Sequence, residues 1–352
     1  MSSDTEDEED AAIKTALYKR LELTEKEIRE VCLVKILPGR APGDIGVSIR
    51  NATPEDIGKY CCLSYECGPQ DEDLLRNILI INESQGTSSP GAIGPNLYSF
   101  LEVAQNELSG SKAANLIDFH SEFWIDALSI DQDDTEVKNR EVAKMGKIYA
   151  QASKTVIWLG HMGEPGHNWE AEHKNNRVKL LRTVDAQTYW NRAWIVQEVA
   201  LAREPVILMG DCALPYDEIY DMGDSNGDLK IVSYVSMIKL VIMDGGTWPL
   251  TSILGLLSGH SCKLARDHIY SIRSLGDEYS AISIDYDTSN AKVIHQLFTA
   301  FPEQLFRQCS ASHETQHNLL DAEWESTTEG SSQTVCQLEI IDFQLPSIQL
   351  IT

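Results

Sequence analysis

Between residues 123 and 210, short apolar runs alternate with longer amphipathic stretches, and this order constrains the fold more than any other feature of the chain. Phe123 to Leu128 is an apolar run of strand length. Thr135 to Ser153 carries Val142, Met145, Ile148, Tyr149 and Ala152 at helical spacing, and Thr155 to Leu159 is a second apolar run stopped by Gly160. Trp190 to Arg203 then reads as a helix ended before Pro205, and Val206 to Met209 as a strand running into Gly210. Strand, helix, strand, helix, strand in that order gives βαβ units and a parallel sheet. Runs with so little alternation belong to strands covered on both faces. The expected class is α/β: a mainly parallel central sheet flanked by helices. Phe123–Leu128 is expected to lie beside Thr155–Leu159, parallel to it, joined by the 135–153 helix.

Upstream, Glu30 to Leu37 and Gly46 to Arg50 read as a β-hairpin around Pro38-Gly39 and Gly43. Tyr60 to Tyr65 is a further strand closed by Gly68-Pro69, and Asn77 to Ile81 another. Glu83 to Pro95, rich in Gly, Ser and Pro, reads as a loop, and Pro95-Asn96 opens a helix to about Leu108. Beyond residue 211 come helical segments around 229–243, 250–258 and 290–300. The expected organisation is an acidic tail and short helix over 1–27, a domain over 28–300 (core 60–210, helical extension 211–300), and a poorly structured tail over 301–352.

Net charge narrows the function classes. The chain carries 54 acidic against 29 basic residues, a formal −25, and six of the acids fall within the first ten residues with no base among them. A field of that sign repels phosphate backbones, so no nucleic-acid partner is expected. The most apolar stretch, Ile231 to Met243, is interrupted by Lys239 and is too short to cross a bilayer. An acidic N-terminus is also unlike a targeting peptide, so a cytoplasmic location is expected. The eight cysteines contain no CxxC pair, which fits reduced thiols better than a disulfide framework or a structural zinc site.

Four blocks, in order, carry a family resemblance. Tyr60-Cys61-Cys62-Leu63-Ser64-Tyr65-Glu66-Cys67-Gly68 resembles the "Y-x-A-L-S-Y-x-W-G" opening of the fungal HET (heterokaryon incompatibility) domain. Phe123-Trp124-Ile125-Asp126-Ala127-Leu128-Ser129-Ile130-Asp131-Gln132 resembles its "L-W-I-D-A-L-C-I-N-Q" block, and Arg192-Ala193-Trp194-Ile195-Val196-Gln197-Glu198 its "R-x-W-x-x-Q-E" signature. Ala265-Arg266-Asp267-His268-Ile269-Tyr270 is similar to its "P-R-D-x-x-Y" segment. Departures fall at Cys67, Ser129, Asp131 and Ala265. The resemblance implies self/non-self recognition ending in regulated cell death, protein partners, possible self-association and a fold similar to TIR domains.

It also implies candidate site residues. In TIR domains the NAD-cleaving glutamate follows a Trp by four residues, and Trp194 and Glu198 repeat that spacing. On a helix these positions share a face, and an indole beside a carboxylate raises its pKa. Glu198 is thus the candidate catalytic residue, and NAD, as substrate, the one cofactor to consider. In an open parallel sheet ligands gather beyond the carboxyl ends of the strands, which adds Ser64, Tyr65, Asp126, Asp131 and Gln132 as candidate ligand-binding residues, joined by Arg192 and Trp194 of the signature block. A plainer reading gives Trp194 to the core, Glu198 to a cap or an ion pair with Arg192, and Asp126 and Asp131 to loop amides. His313-Glu314-Thr315-Gln316-His317 matches HExxH, a zinc-protease pattern. Its polar, weakly periodic surroundings offer no face to hold two imidazoles, so no metal site is expected there. His161, His167 and His173 fit neither a helical face nor a strand, and read as solvated.

Overall fold

The computed structural model describes residues 18–39, 44–68, 71–108, 116–161, 177–218, 253–254, 257, 260–276 and 281–301, with two short strands at 335–336 and 348–349. The acidic tail, the 229–243 segment, His167, His173 and the 313–317 motif lie outside the described residues.

A nine-stranded sheet organises the molecule. Its strands are β1 (Cys32–Ile36), β2 (Gly46–Asn51), β3 (Cys61–Tyr65), β4 (Arg76–Asn82), β5 (Thr87–Ile93), β6 (Phe123–Trp124), β7 (Lys154–Trp158), β8 (Pro205–Met209) and β9 (Cys212–Pro215), in the spatial order β5-β4-β2-β1-β6-β3-β7-β8-β9. The sheet is mixed rather than mainly parallel. β2·β4, β3·β6, β3·β7 and β7·β8 pair parallel, whereas β1·β2, β1·β6, β4·β5 and β8·β9 pair antiparallel. The parallel block β6-β3-β7-β8 is the part the βαβ reading anticipates. The antiparallel pairs β4·β5 and β8·β9 come from tight connections that periodicity does not distinguish from loops, and β1·β6 joins segments remote in the chain.

Three expectations are corrected here. The Phe123–Leu128 run is a strand only over β6, because the Ser129 hydroxyl accepts from the Ile125 amide at 3.2 Å and a short helix, α3 (Asp126–Ser129), takes over. β6 and β7 are parallel but not adjacent, since β3 lies between them. The 83–95 loop contains β5, an exposed edge strand whose Pro90 is tolerated because one side of an edge needs no hydrogen bonds. The hairpin β1–β2 forms as read, with Val34 opposite Ile49.

Helices cover both faces of the parallel block, and the short helices α1 (Glu25–Glu30) and α7 (Asp267–Tyr270) add Ile28 and Ile269 to the packed clusters. Odd positions of β3 (Cys61, Leu63, Tyr65) and even positions of β7 (Val156, Trp158) pack with Leu97, Phe100 and Leu101 of α2 (Pro95–Leu108). On the other face, Cys62 and Trp124 pack with Val142, Met145 and Ile148 of α4 (Thr135–Gln151), which starts where Asp134 accepts from the Val137 amide at 3.0 Å. Ile157 and Ile207 pack with α5 (Arg177–Asp185) and α6 (Ile195–Ala200), and α8 (Asn290–Ala300) joins this cluster through Val293, Ile294 and Leu297. Near the end of the chain, Val335–Cys336 and Ile348–Gln349 form a separate antiparallel ladder.

The α4–α6 contact depends on a residue without a side chain. A Cβ on Gly146 would collide with the Ser274 side chain and sit 3.1 Å from Leu201 Cδ1. Gly146→Ala is therefore expected to destabilise the protein by about 1–3 kcal/mol from overpacking, although alanine in an exposed helix would gain about 1 kcal/mol. In a Ser274→Gly background the cost of Gly146→Ala should fall. Urea unfolding of the four chains checks this, and an unchanged cost would remove Ser274 as the cause.

Candidate functional site

Sheet topology singles out one edge. Within the parallel block the chain runs first through β3, then to β6 on one side, then back to β7 and β8 on the other. The order reverses between β3 and β7, and at such a switch point the connections diverge to opposite faces and leave a crevice beyond the strand ends. Ser64 and Tyr65 end β3 there, Asp126 follows β6, and Gly68 turns the chain away with φ +69, a conformation that favours glycine.

The stretch leading to α6 supplies the other wall. A continuous helix over 190–203 is not formed. A 3-10 turn spans Thr188–Asn191, Arg192 is extended, and α6 begins only at Ile195. The break has a clear cause: Arg192 forms a bridge with Ser261, whose carbonyl accepts from the Ala193 amide at 3.1 Å. That extended residue lets the guanidinium of Arg192 donate to the Tyr65 carbonyl at the end of β3.

Glu198, in α6, is 4% exposed and points into this junction. The Ser64 hydroxyl donates to its carboxylate, and Ser64 Oγ lies 2.6 Å from the Tyr189 hydroxyl. The Tyr149 hydroxyl, whose proton goes to the Leu63 carbonyl at 3.0 Å, also borders the carboxyl. Burial pushes the Glu198 carboxyl up to about 7; Asp126 adds in the same direction, while Arg192 and the hydroxyls of Ser64 and Tyr149 oppose it. Burial likewise raises Asp126, against the attraction of Arg192 and hydrogen bonds from the Ala127 amide and the Tyr65 hydroxyl. For Arg192 burial favours the neutral form, but Glu198, Cys67 and Asp126 outweigh it and hold the guanidinium charged. One half-buried cation thus stands near two carboxyls with raised pKa values. Such an arrangement can hold or release a proton near neutral pH and offers hydroxyl and carboxyl groups to a polar ligand.

Of the residues singled out from sequence, Ser64, Tyr65, Asp126, Arg192 and Glu198 come together. Asp131 and Gln132 do not: both are exposed, and Asp131 accepts from the Asp133 amide at 3.1 Å in the loop leading to α4. Trp194 lies one turn before Glu198, but its indole hydrogen-bonds Asp267 and its ring packs between two core clusters. The groups on the Glu198 carboxyl are Ser64 and Tyr149 instead. Tyr149 reads in the sequence only as part of an apolar stripe, and Tyr189 carries no signal of its own, because a tyrosine among apolar residues looks like core and only the fold reveals where its hydroxyl ends. Cys67 also borders the site; burial and then Asp126 push its thiol up to about 11. Among the described residues no cluster of three or more His, Cys, Asp or Glu side chains is arranged to hold a metal ion. Nor is any helix among them long and apolar enough to cross a membrane.

Residues 60–198 match the family model described as Heterokaryon incompatibility protein (HET). No curated protein and no solved structure matches the chain. The matched span opens at the residue before β3 and closes on Glu198, so it contains Ser64, Tyr65, Asp126, Tyr149, Tyr189, Arg192 and Glu198.

Proposed function

We propose that the protein is a heterokaryon-incompatibility-type signalling module, TIR-like in its parallel block, acting in the cytoplasm in fungal self/non-self recognition and regulated cell death. Its partners are proteins, including other copies of itself. The observation that carries this reading is that the family match over 60–198 takes in β6, β3 and β7 of the parallel block together with Ser64, Tyr65, Asp126, Arg192 and Glu198. A domain over 28–300 with flanking tails completes the proposal.

A second reading is favoured by the raised pKa of Glu198. A carboxyl that titrates at about 7 beyond the ends of parallel strands can accept a proton or hold a ribose hydroxyl. That is what cleavage of the nicotinamide–ribose bond of NAD asks of a protein, and a carboxylate can also stabilise the positive charge that develops on the sugar. The donors fit the ribose better than the diphosphate. Arg192 is the cation at the crevice, and its guanidinium is already committed to the Tyr65 carbonyl and to two carboxyls.

Expression of wild type and Glu198→Gln side by side in a fungal host, with viability, NAD level and self-association measured, tests both. Wild-type protein should kill. If Glu198→Gln spares the cells and their NAD while self-association is unchanged, the hydrolase reading holds. If the variant kills as well as wild type without an NAD decline, the module works by assembly. Wild-type accumulation without loss of viability would overturn both readings.

A further inference from the structure

The cysteines of the described residues sit in contrasting surroundings. Burial raises the thiols of Cys61 and Cys62, and burial together with a nearby carboxylate pushes Cys32 up to about 11. Such thiols stay protonated and inert. Cys262 differs. It is half-buried between exposed Ser261 and Lys263, and its Sγ lies 3.1 Å from Nδ1 of His268.

The imidazole is held for this contact. Both ring nitrogens face accept-only carbonyl oxygens, Nε2 that of His260 at 2.9 Å and Nδ1 that of Ala265 at 3.3 Å; the shorter contact places the hydrogen of the neutral ring on Nε2 and leaves Nδ1 as the nitrogen turned to sulfur. The thiol proton has two acceptors in reach, the Leu264 carbonyl at 3.0 Å and Nδ1. Only the imidazole can take it. Once there, the proton can be shared with the Ala265 carbonyl, 3.3 Å from Nδ1, or given back to sulfur. A nucleophile, a base and a group that orients the base are all present.

We propose that Cys262 and His268 form a reactive-thiol site at which a small hydroperoxide oxidises the cysteine to a sulfenic acid. Neither reading of the Glu198 crevice includes this pair. His268 takes the thiol proton, and the thiolate attacks the nearer peroxide oxygen. The S–O bond forms as the O–O bond breaks, and the departing hydroxide leaves as water with the proton from His268. Sulfur loses two electrons and the peroxide gains them. Half-burial admits a reagent of that size, and the Lys263 side chain stands at the adjacent exposed position. The site is also one residue from the joint at which Ser261 bridges Arg192, so modification occurs next to the segment that positions the guanidinium.

The test is sulfenic-acid trapping with dimedone on the reduced full chain under limiting hydrogen peroxide, with peptide mass spectrometry reading each cysteine. Rates are compared between the folded protein and the same chain in concentrated urea. A half-buried thiol without a base reacts more slowly when folded, whereas Cys262 is expected to react about tenfold faster folded than unfolded. His268→Gln should abolish that advantage with an unchanged circular dichroism spectrum. The proposal is overturned if Cys262 in the folded wild type is no faster than in urea, a result independent of whether the variant folds. It is also overturned if a folded His268→Gln chain reacts as fast as wild type.

Discussion

Glu198→Gln is expected to stabilise the protein at alkaline pH and to leave it almost unchanged in acid. The carboxyl is raised from its ordinary 4.5 in the unfolded chain to about 7 in the folded one. A group raised on folding stabilises the fold in its protonated form. That stability is complete below the unfolded pKa and is lost as pH climbs through the folded one. Across the window from about 4.5 to about 7 the wild type should lose about 3 kcal/mol. Glutamine keeps the shape and carries no charge, so the variant should not share the loss. The Ser64 hydroxyl can donate to the amide oxygen, and the Tyr149 hydroxyl, already donating to the Leu63 carbonyl, can accept from the amide nitrogen. Urea unfolding of both chains from about pH 4.5 to about pH 8 checks the sign, with a gap that widens toward the alkaline end. A constant gap would mean Glu198 does not titrate in this range. A variant that gains stability while losing function would also exclude unfolding as the reason for the loss.

The largest destabilisation is expected from Trp158→Ala, at about 3–5 kcal/mol. Trp158 ends β7 opposite Tyr65, is fully buried, and meets Phe100 of α2 edge-on at 6.0 Å between ring centres. Its indole N–H also donates to the Asn96 carbonyl at 3.1 Å and to Asn96 Oδ1 at 3.0 Å. Asn96 in turn donates to the Glu66 carbonyl at 2.6 Å, so one side chain fastens the start of α2 to the chain just past Ser64 and Tyr65. Truncation leaves a cavity and unpairs the Asn96 acceptors together. Trp158→Phe keeps most of the ring volume and isolates the hydrogen bonds, with an expected loss of about 1–2 kcal/mol. A shifted urea midpoint at constant slope measures both. An alanine variant within 1 kcal/mol of wild type would refute the role given to this residue.

The parts of the fold visible in the sequence are those where burial leaves a mark on residue type. β3, β7 and β8 are covered on both faces and read as apolar runs, and the α2 and α4 stripes read as helices. Strand order leaves no such mark: nothing in Phe123-Trp124 or Thr155 to Trp158 says that β3 separates them, because neighbours along a sheet are chosen by backbone pairing. β5 was hidden for the opposite reason, as Thr-Ser-Ser-Pro-Gly-Ala-Ile at an exposed edge needs neither alternation nor bulk. At the site, Ser64 and Asp126 are legible as strand ends, whereas Arg192 and Glu198 stand out through the family resemblance of their block. The break at Arg192 was not, since its partner Ser261 is remote in the chain. Tyr149, Tyr189 and the turning of Trp194 toward Asp267 depend on tertiary contacts of the same kind.

The protonation of Glu198 in the folded wild type is what both the stability profile and the chemistry of the crevice rest on. A carbon-13 titration of its side-chain carboxyl in isotope-labelled full-length protein, with the resonance assigned by its disappearance in Glu198→Gln, measures it without reference to any ligand or host. The expected midpoint is about 7. A midpoint at the ordinary carboxylate value of 4.5 would show an acid no different from those on the surface, and would contradict the site.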